Sequence, residues 1–174
     1  IMLEEKKMKR TIKDFDLEGK KIIIRCDLNV PIENGVITDD TRIIASLRTI
    51  KYALRFNTKI ILLSHLGKIK TEEDKKKNSL YPVAERLREY LNTEVLFSPD
   101  TCSDRLTDMV NNMKEKSVLL IENTRFEDVP DKRESECNDD LAKYWASLGD
   151  IFINDAYGTC HRNHTSITGI PKYL

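Results

Sequence analysis

Five short runs, "KIIIRC" (21–26), "KIILLS" (59–64), "EVLFS" (94–98), "SVLLIE" (117–122) and "DIFIND" (150–155), constrain this chain more than any other feature. Each is rich in Ile, Leu and Val and none alternates apolar with polar residues. A strand wetted on one face alternates, so runs of this kind suit strands covered on both faces, as in a parallel sheet. Between them lie amphipathic stretches with helical spacing. Ile43, Leu47, Ile50 and Leu54 recur at three and four residues behind Thr38 or Asp39 as N-cap. A second helix fits residues 81–92, with Ser79 upstream and Pro82 in the first turn, where a missing N–H is harmless. Two more fit roughly 103–114 and 139–148, the last entered through Asn138 and left at Gly149. The resulting β-α-β-α-β-α-β-α-β order predicts a doubly wound three-layer α/β/α sandwich with a parallel sheet, Rossmann-like, formed by residues 1–174 as a single α/β domain. Two connections are too long for ordinary loops of such a fold: the charged run "GKIKTEEDKKKN" within 65–78, read as solvated and mobile, and the polar stretch 123–138.

The balance of 29 basic against 29 acidic residues gives no net charge, which predicts no nonspecific pull toward nucleic acid or a membrane. No run approaches the length of a membrane span, and Cys26, Cys102, Cys137 and Cys160 lack tight spacing and read as reduced thiols. A cytoplasmic monomer is the expectation.

Ligands of open α/β sheets sit beyond the carboxyl ends of the strands. After the first strand come Asp27 and Asn29; after the second, His65, Gly67 and Lys68; after the fourth, Asn123 and Arg125; after the fifth, Asp155, Gly158, His161, Arg162 and His164. Arg42, in the first turn of its helix, falls on the same edge. Any one of these is more often a surface residue than a ligand contact, and Arg25 can be read as pairing with an acid on the rim. Four strand ends carrying the same sign of chemistry point together to a small polyanion. Guanidinium groups grip carboxylate and phosphate bidentately, and three or four such contacts support roughly micromolar affinity, about −8 kcal/mol. Cys160, His161 and His164 could suggest zinc but lack a second cluster of structural spacing. Ser64 beside His65 has no nucleophile elbow, and with six glycines the chain shows no Gly-rich cradle for a nucleotide triphosphate.

The segments "RCDLNVP", "ITDDTRI", "LLSHLGK", "LLIENTRF" and "GDIFINDAYGTCHRNHTSITGI" closely resemble, in order, the amino-terminal domain of the phosphoglycerate kinase family, from about Lys20 to Ile170. The resemblance implies a two-domain glycolytic enzyme that moves a phosphoryl group between 1,3-bisphosphoglycerate and ADP, giving 3-phosphoglycerate and ATP with Mg2+. It implies that Asp27 and Asn29 bind the hydroxyl and carboxylate end of the glycerate. Arg42 would face the transferring phosphoryl group as the catalytic cation. His65, Lys68, Arg125 and Arg162 would complete the anion basket, and Gly158 would let the backbone approach near Arg162. The pattern departs at Lys68 and Ile69, where the family has arginine and proline, at Leu28 in place of phenylalanine, and at Cys160 in place of alanine. The family's nucleotide-binding domain, with its hinge and magnesium-linked carboxylate, has no counterpart in these residues. The chain is therefore expected to fold alone, to bind glycerate phosphate weakly and not to turn over, with no nucleotide or metal site of its own. The rivals are a stand-alone anion-binding module and a zinc-dependent hydrolase.

Overall fold

The structure, a computed structural model, describes residues 11–156 and 162–174. Strand β1 (Lys21–Arg25) leads into a small antiparallel hairpin, β2 (Ile32–Glu33) and β3 (Val36–Ile37), and then helix α1 (Thr41–Ala53). Next come β4 (Lys59–Leu63), α2 (Glu72–Lys77), α3 (Tyr81–Tyr90), β5 (Val95–Ser98), α4 (Asp104–Asn111), β6 (Ser117–Ile121), α5 (Asp139–Ala146) and β7 (Ile151–Asn154). The main sheet runs β5-β6-β4-β1-β7 with every pairing parallel. All five apolar runs are strands of this one sheet, as their lack of alternation predicts.

Strand periodicity sorts the core into two layers. Ile22, Ile24, Ile60, Leu62, Val118 and Leu120 pack on one face with Ile43, Leu47 and Ile50 of α1 and Val83, Ala84 and Leu87 of α3. Ile23, Ile61, Leu63, Leu119 and Ile121 pack on the other with Leu106 and Val110 of α4 and Leu141 and Trp145 of α5. Each such side chain, once fully buried, contributes about 1.5–3 kcal/mol, so both faces must be covered for the sheet to stand. Trp145 is fully buried and its indole N–H donates to the Thr101 carbonyl at 2.8 Å, satisfying its one polar atom. Arg25 shares the face of Ile23, so the charged end of β1 is directed to the α4–α5 side of the sheet.

Two local readings change and one element is added. The charged run 65–78, expected as a solvated loop, contains α2, closed by a capping box: Thr71 Oγ1 accepts from Asp74 N at 3.3 Å while the Asp74 carboxylate accepts from Thr71 N at 3.1 Å. Asp40, rather than Thr38 or Asp39, is the boundary residue of α1; Asp39 instead accepts from Thr41 N at 2.9 Å, and Asp40 pairs with Arg86 at 2.6 Å. The β2–β3 hairpin turns on Asn34 (φ 50°) and Gly35 (φ 76°), the left-handed pair that an Asn-Gly turn supplies.

Candidate anion site at the strand ends

Two side chains set the frame. Asn123, fully buried after β6, accepts from Leu66 N at 3.1 Å and Arg125 N at 3.1 Å through Oδ1. Its amide donates to the carbonyls of Leu66 at 2.7 Å and Asn78 at 2.9 Å. It thus pins the segment after β4 to the segment after β6. Ser64 Oγ accepts from Leu28 N at 2.9 Å and ties the segment after β1 to the same frame. Every backbone group so held is buried or partly so, and leaving one unpaired costs about 1–3 kcal/mol.

On this frame the expected residues form two groups. In the first, Arg42 reaches from the start of α1 to Asp27 Oδ1 at 3.4 Å and the Asn29 carbonyl at 2.8 Å. Asn29 Oδ1 accepts from Gly67 N at 2.9 Å, which leaves the amide hydrogens of Asn29 to offer a ligand. Asn29, Arg42, Leu66, Gly67 and Asn78 line a cleft of about 370 Å³. Most of the Arg42 side chain remains in solvent, at 53% exposure.

In the second group the fully buried Arg25 donates through an Nη to His65 Nδ1 at 2.9 Å. Its other contacts are the Cys26 carbonyl at 2.5 Å and Ser166 Oγ at 2.9 Å. Among the described residues Arg25 meets no acid directly; Ser166 stands between it and Glu134, donating to Glu134 Oε2 at 2.6 Å. Burial pushes the His65 imidazole down to about 2, and the charges of Arg25, Arg125 and Arg162 add to the shift. His65 is therefore a neutral hydrogen-bonding group in the free protein, not one of the basket's cations. Burial likewise lowers Arg125, with Arg162 second, and lowers His164, where Glu134 opposes the shift. An arginine so placed still carries its charge at neutral pH. Among the described residues no carboxylate lies within ion-pair distance of Arg25 or Arg125. The buried atoms Arg125 Nε, His164 Nδ1 and Thr124 Oγ1 have no hydrogen-bond partner there either.

Gly67 joins the groups: its N–H donates to Asn29 and its carbonyl accepts from Arg125 Nη at 3.3 Å. It sits at φ 59°, a conformation that calls for glycine, and a Cβ there would lie 2.7 Å from Asn78 Oδ1, so the Asn78 side chain would have to shift. Lys68 is exposed and lines a neighbouring groove of about 540 Å³ with Lys70, Arg125, Asp128 and Lys132. Arg162 is exposed and lies within electrostatic reach of His65, Arg125 and His164. Gly158, Cys160 and His161 fall outside the described residues. Among the described residues no set of three His, Cys, Asp or Glu side chains is placed to hold a metal.

The residues that sequence reasoning undervalued are Arg25, Glu134 and Ser166. The only local signal for them was a charged residue at the end of an otherwise apolar strand. What this arrangement can do is bind: it offers guanidinium and amide donors, a neutral imidazole and the carboxylates of Asp27 and Glu134.

The family model described as phosphoglycerate kinase matches residues 12–174. A curated relative from Enterococcus faecalis, named phosphoglycerate kinase, is 59% identical over 94% of this chain and 41% of its own length. One of the same name from Fusobacterium nucleatum is 54% identical over 96% of this chain and 42% of its own. The solved phosphoglycerate kinase of Coxiella burnetii superposes with a TM-score of 0.79 at 36% identity, over 94% of this chain and 39% of that one. The Pyrococcus horikoshii enzyme does so with 0.76 at 30% identity, over 91% and 39%. The chain thus spans about two fifths of the length of these relatives. On the sequence match and the shared fold together, the chain belongs to the phosphoglycerate kinase family.

Proposed function

We propose that these residues supply the substrate side of phosphoglycerate kinase, holding 3-phosphoglycerate or 1,3-bisphosphoglycerate while a nucleotide held elsewhere gives or takes the phosphoryl group. The observation that carries this reading is the donor cluster beyond β4 and β6. Among the described residues Arg125 has an unpartnered Nε and no carboxylate in ion-pair range, and it lies within electrostatic reach of Arg162 and a neutral His65. A partly buried arginine such as Arg125, lowered by burial and by the charge of Arg162, gains from an anion beside it, because the anion supplies the missing bonds and offsets the repulsion.

Asp27 and the Asn29 amide would orient the hydroxyl and carboxylate end, and Lys68 would contribute a point charge from the rim. The acceptor carboxylate is already ionised, so no general base is needed, and the chemistry reduces to alignment and charge neutralisation. Arg42 suits that role. Its bonds to Asp27 and Asn29 are few and solvent-exposed, so it can turn toward a transferring phosphoryl group at little cost. An arginine acting this way contributes about 10³–10⁵ in rate. By this reading the protein works as a cytoplasmic monomer, and the 174 residues alone bind without turning over.

Calorimetric titration with 3-phosphoglycerate, 2-phosphoglycerate and sulfate tests the proposal. The 3-isomer should bind at least about tenfold tighter than sulfate, a difference of about 1.4 kcal/mol. Equal affinity for all three would leave a generic anion-binding module. ATP-dependent phosphorylation of 3-phosphoglycerate by these residues alone would contradict the division of labour.

A further inference from the structure

We infer that Arg25 is a positioning residue, aimed by Ser166 and Glu134, that fixes His65 as its Nε2-protonated neutral tautomer so that the ring presents a donor to the bound anion. The inference rests on the anion-site reading above for its purpose, but not for its geometry.

The direction of every bond in the series is determined. A guanidinium has five N–H donors and no acceptor. At 2.9 Å from an Arg25 Nη, His65 Nδ1 must therefore accept, and the ring's single proton must sit on Nε2. Arg25 Nε donates to Ser166 Oγ at 2.9 Å, which leaves the hydroxyl proton to go to Glu134 Oε2 at 2.6 Å. Ser166 N also donates to Glu134 Oε1 at 2.8 Å, so both carboxylate oxygens are held by one residue. All four side chains are buried. The series thus runs from a carboxylate after β6, through the turn at Thr165–Gly169, to the end of β1 and then the end of β4.

A neutral donor has an advantage here. The charged and titratable groups facing His65 are Arg25, Arg125, Arg162 and His164. Adding another charge would raise the repulsion and the desolvation cost in the free protein, whereas an N–H adds a directed bond to an anion oxygen without either. A guanidinium on Nδ1 also keeps the donor in place as pH falls, because protonation would set an N–H against an N–H.

The test is a long-range proton–nitrogen correlation spectrum of the His65 ring in the ligand-free chain. One neutral tautomer, protonated at Nε2, is expected from about pH 8 to about pH 5, below the usual imidazole range. An Nδ1-protonated or cationic ring at neutral pH would overturn the inference without any variant. Ser166→Ala removes the link to Glu134 and should give mixed tautomers and about fivefold weaker 3-phosphoglycerate binding, with folded amide dispersion retained. Arg25→Lys keeps a donor for Nδ1 and should restore the single tautomer if it folds. Wild-type tautomer and wild-type affinity in Ser166→Ala would equally overturn it. A chain with the tautomer fixed but no affinity for the glycerate would instead refute the anion-site reading and leave the positioning series standing.

Discussion

Arg25 and Arg42 both belong to the strand-end rim, and the protein uses them in opposite ways. Arg25 is fully buried and spends its donors on His65, Cys26 and Ser166, with Glu134 behind. Arg42 is half in solvent and holds Asp27 at a long 3.4 Å. One guanidinium is committed to the fold and shapes the site through a neighbour. The other is left free enough to move to a ligand. Equal charge at the end of a strand therefore says nothing about role; burial and the number of committed donors decide it.

The sharpest way to break that contrast is to remove each in turn. Arg25→Met leaves Ser166 Oγ, the Cys26 carbonyl and the His65 Nδ1 acceptor without their donor in the interior, at about 1–3 kcal/mol each, and should cost about 3–5 kcal/mol in urea unfolding. Arg42→Ala should change stability by no more than about 0.5 kcal/mol and weaken 3-phosphoglycerate binding about tenfold or more. A destabilised Arg42 variant, or an Arg25 variant of native stability, would reverse the assignment. Gly67, which touches both groups, comes next. In Gly67→Ala the left-handed backbone and a Cβ 2.7 Å from Asn78 Oδ1 should together cost about 1–2 kcal/mol, read from the melting temperature.

The buried side of the contrast also predicts a pH dependence. His65 titrates near 6.5 when unfolded and is pushed down to about 2 in the fold, so the unfolded chain binds the extra proton between those values. Stability from this group is therefore complete above about pH 6.5 and is lost as pH falls toward its folded value. His164 is shifted the same way, while Glu122 and Asp155 are raised by burial and act in the opposite sense above the usual carboxylate range. Between about pH 6.5 and pH 5.5 the unfolding free energy should drop by about 1 kcal/mol, and His65→Gln should flatten that slope. A wild-type slope left unchanged by His65→Gln would mean that His65 is charged in the fold. Smallest of all, Lys68→Arg should tighten 3-phosphoglycerate binding by about threefold by replacing a point charge on the rim with a fork. No change would place Lys68 outside the ligand's reach.

The sheet was legible because apolar runs buried on both faces leave no room for alternation, and helices on both sides were the consequence. The hairpin at Asn34-Gly35 and the Thr71–Asp74 capping box were written locally too, but they lie in stretches whose polarity masked them. The site divides differently. That Asp27, Asn29, Arg42, His65 and Arg125 share one rim follows from topology, since each trails a parallel strand or opens a helix beside one. That His65 is neutral does not follow, because its state depends on Arg25, 40 residues away in sequence. Ser166 lies 141 residues from Arg25, and no local pattern announces that the two meet.

The most direct test of the account is an amide NMR titration of 3-phosphoglycerate into this chain, with sulfate in parallel. The account predicts selective, saturable shifts at Asp27, Asn29, Arg42, His65, Gly67 and Arg125 that sulfate does not reproduce in full. Shifts of equal size and pattern with sulfate, or none with either, would contradict a strand-end rim built to read a phosphorylated hydroxy acid.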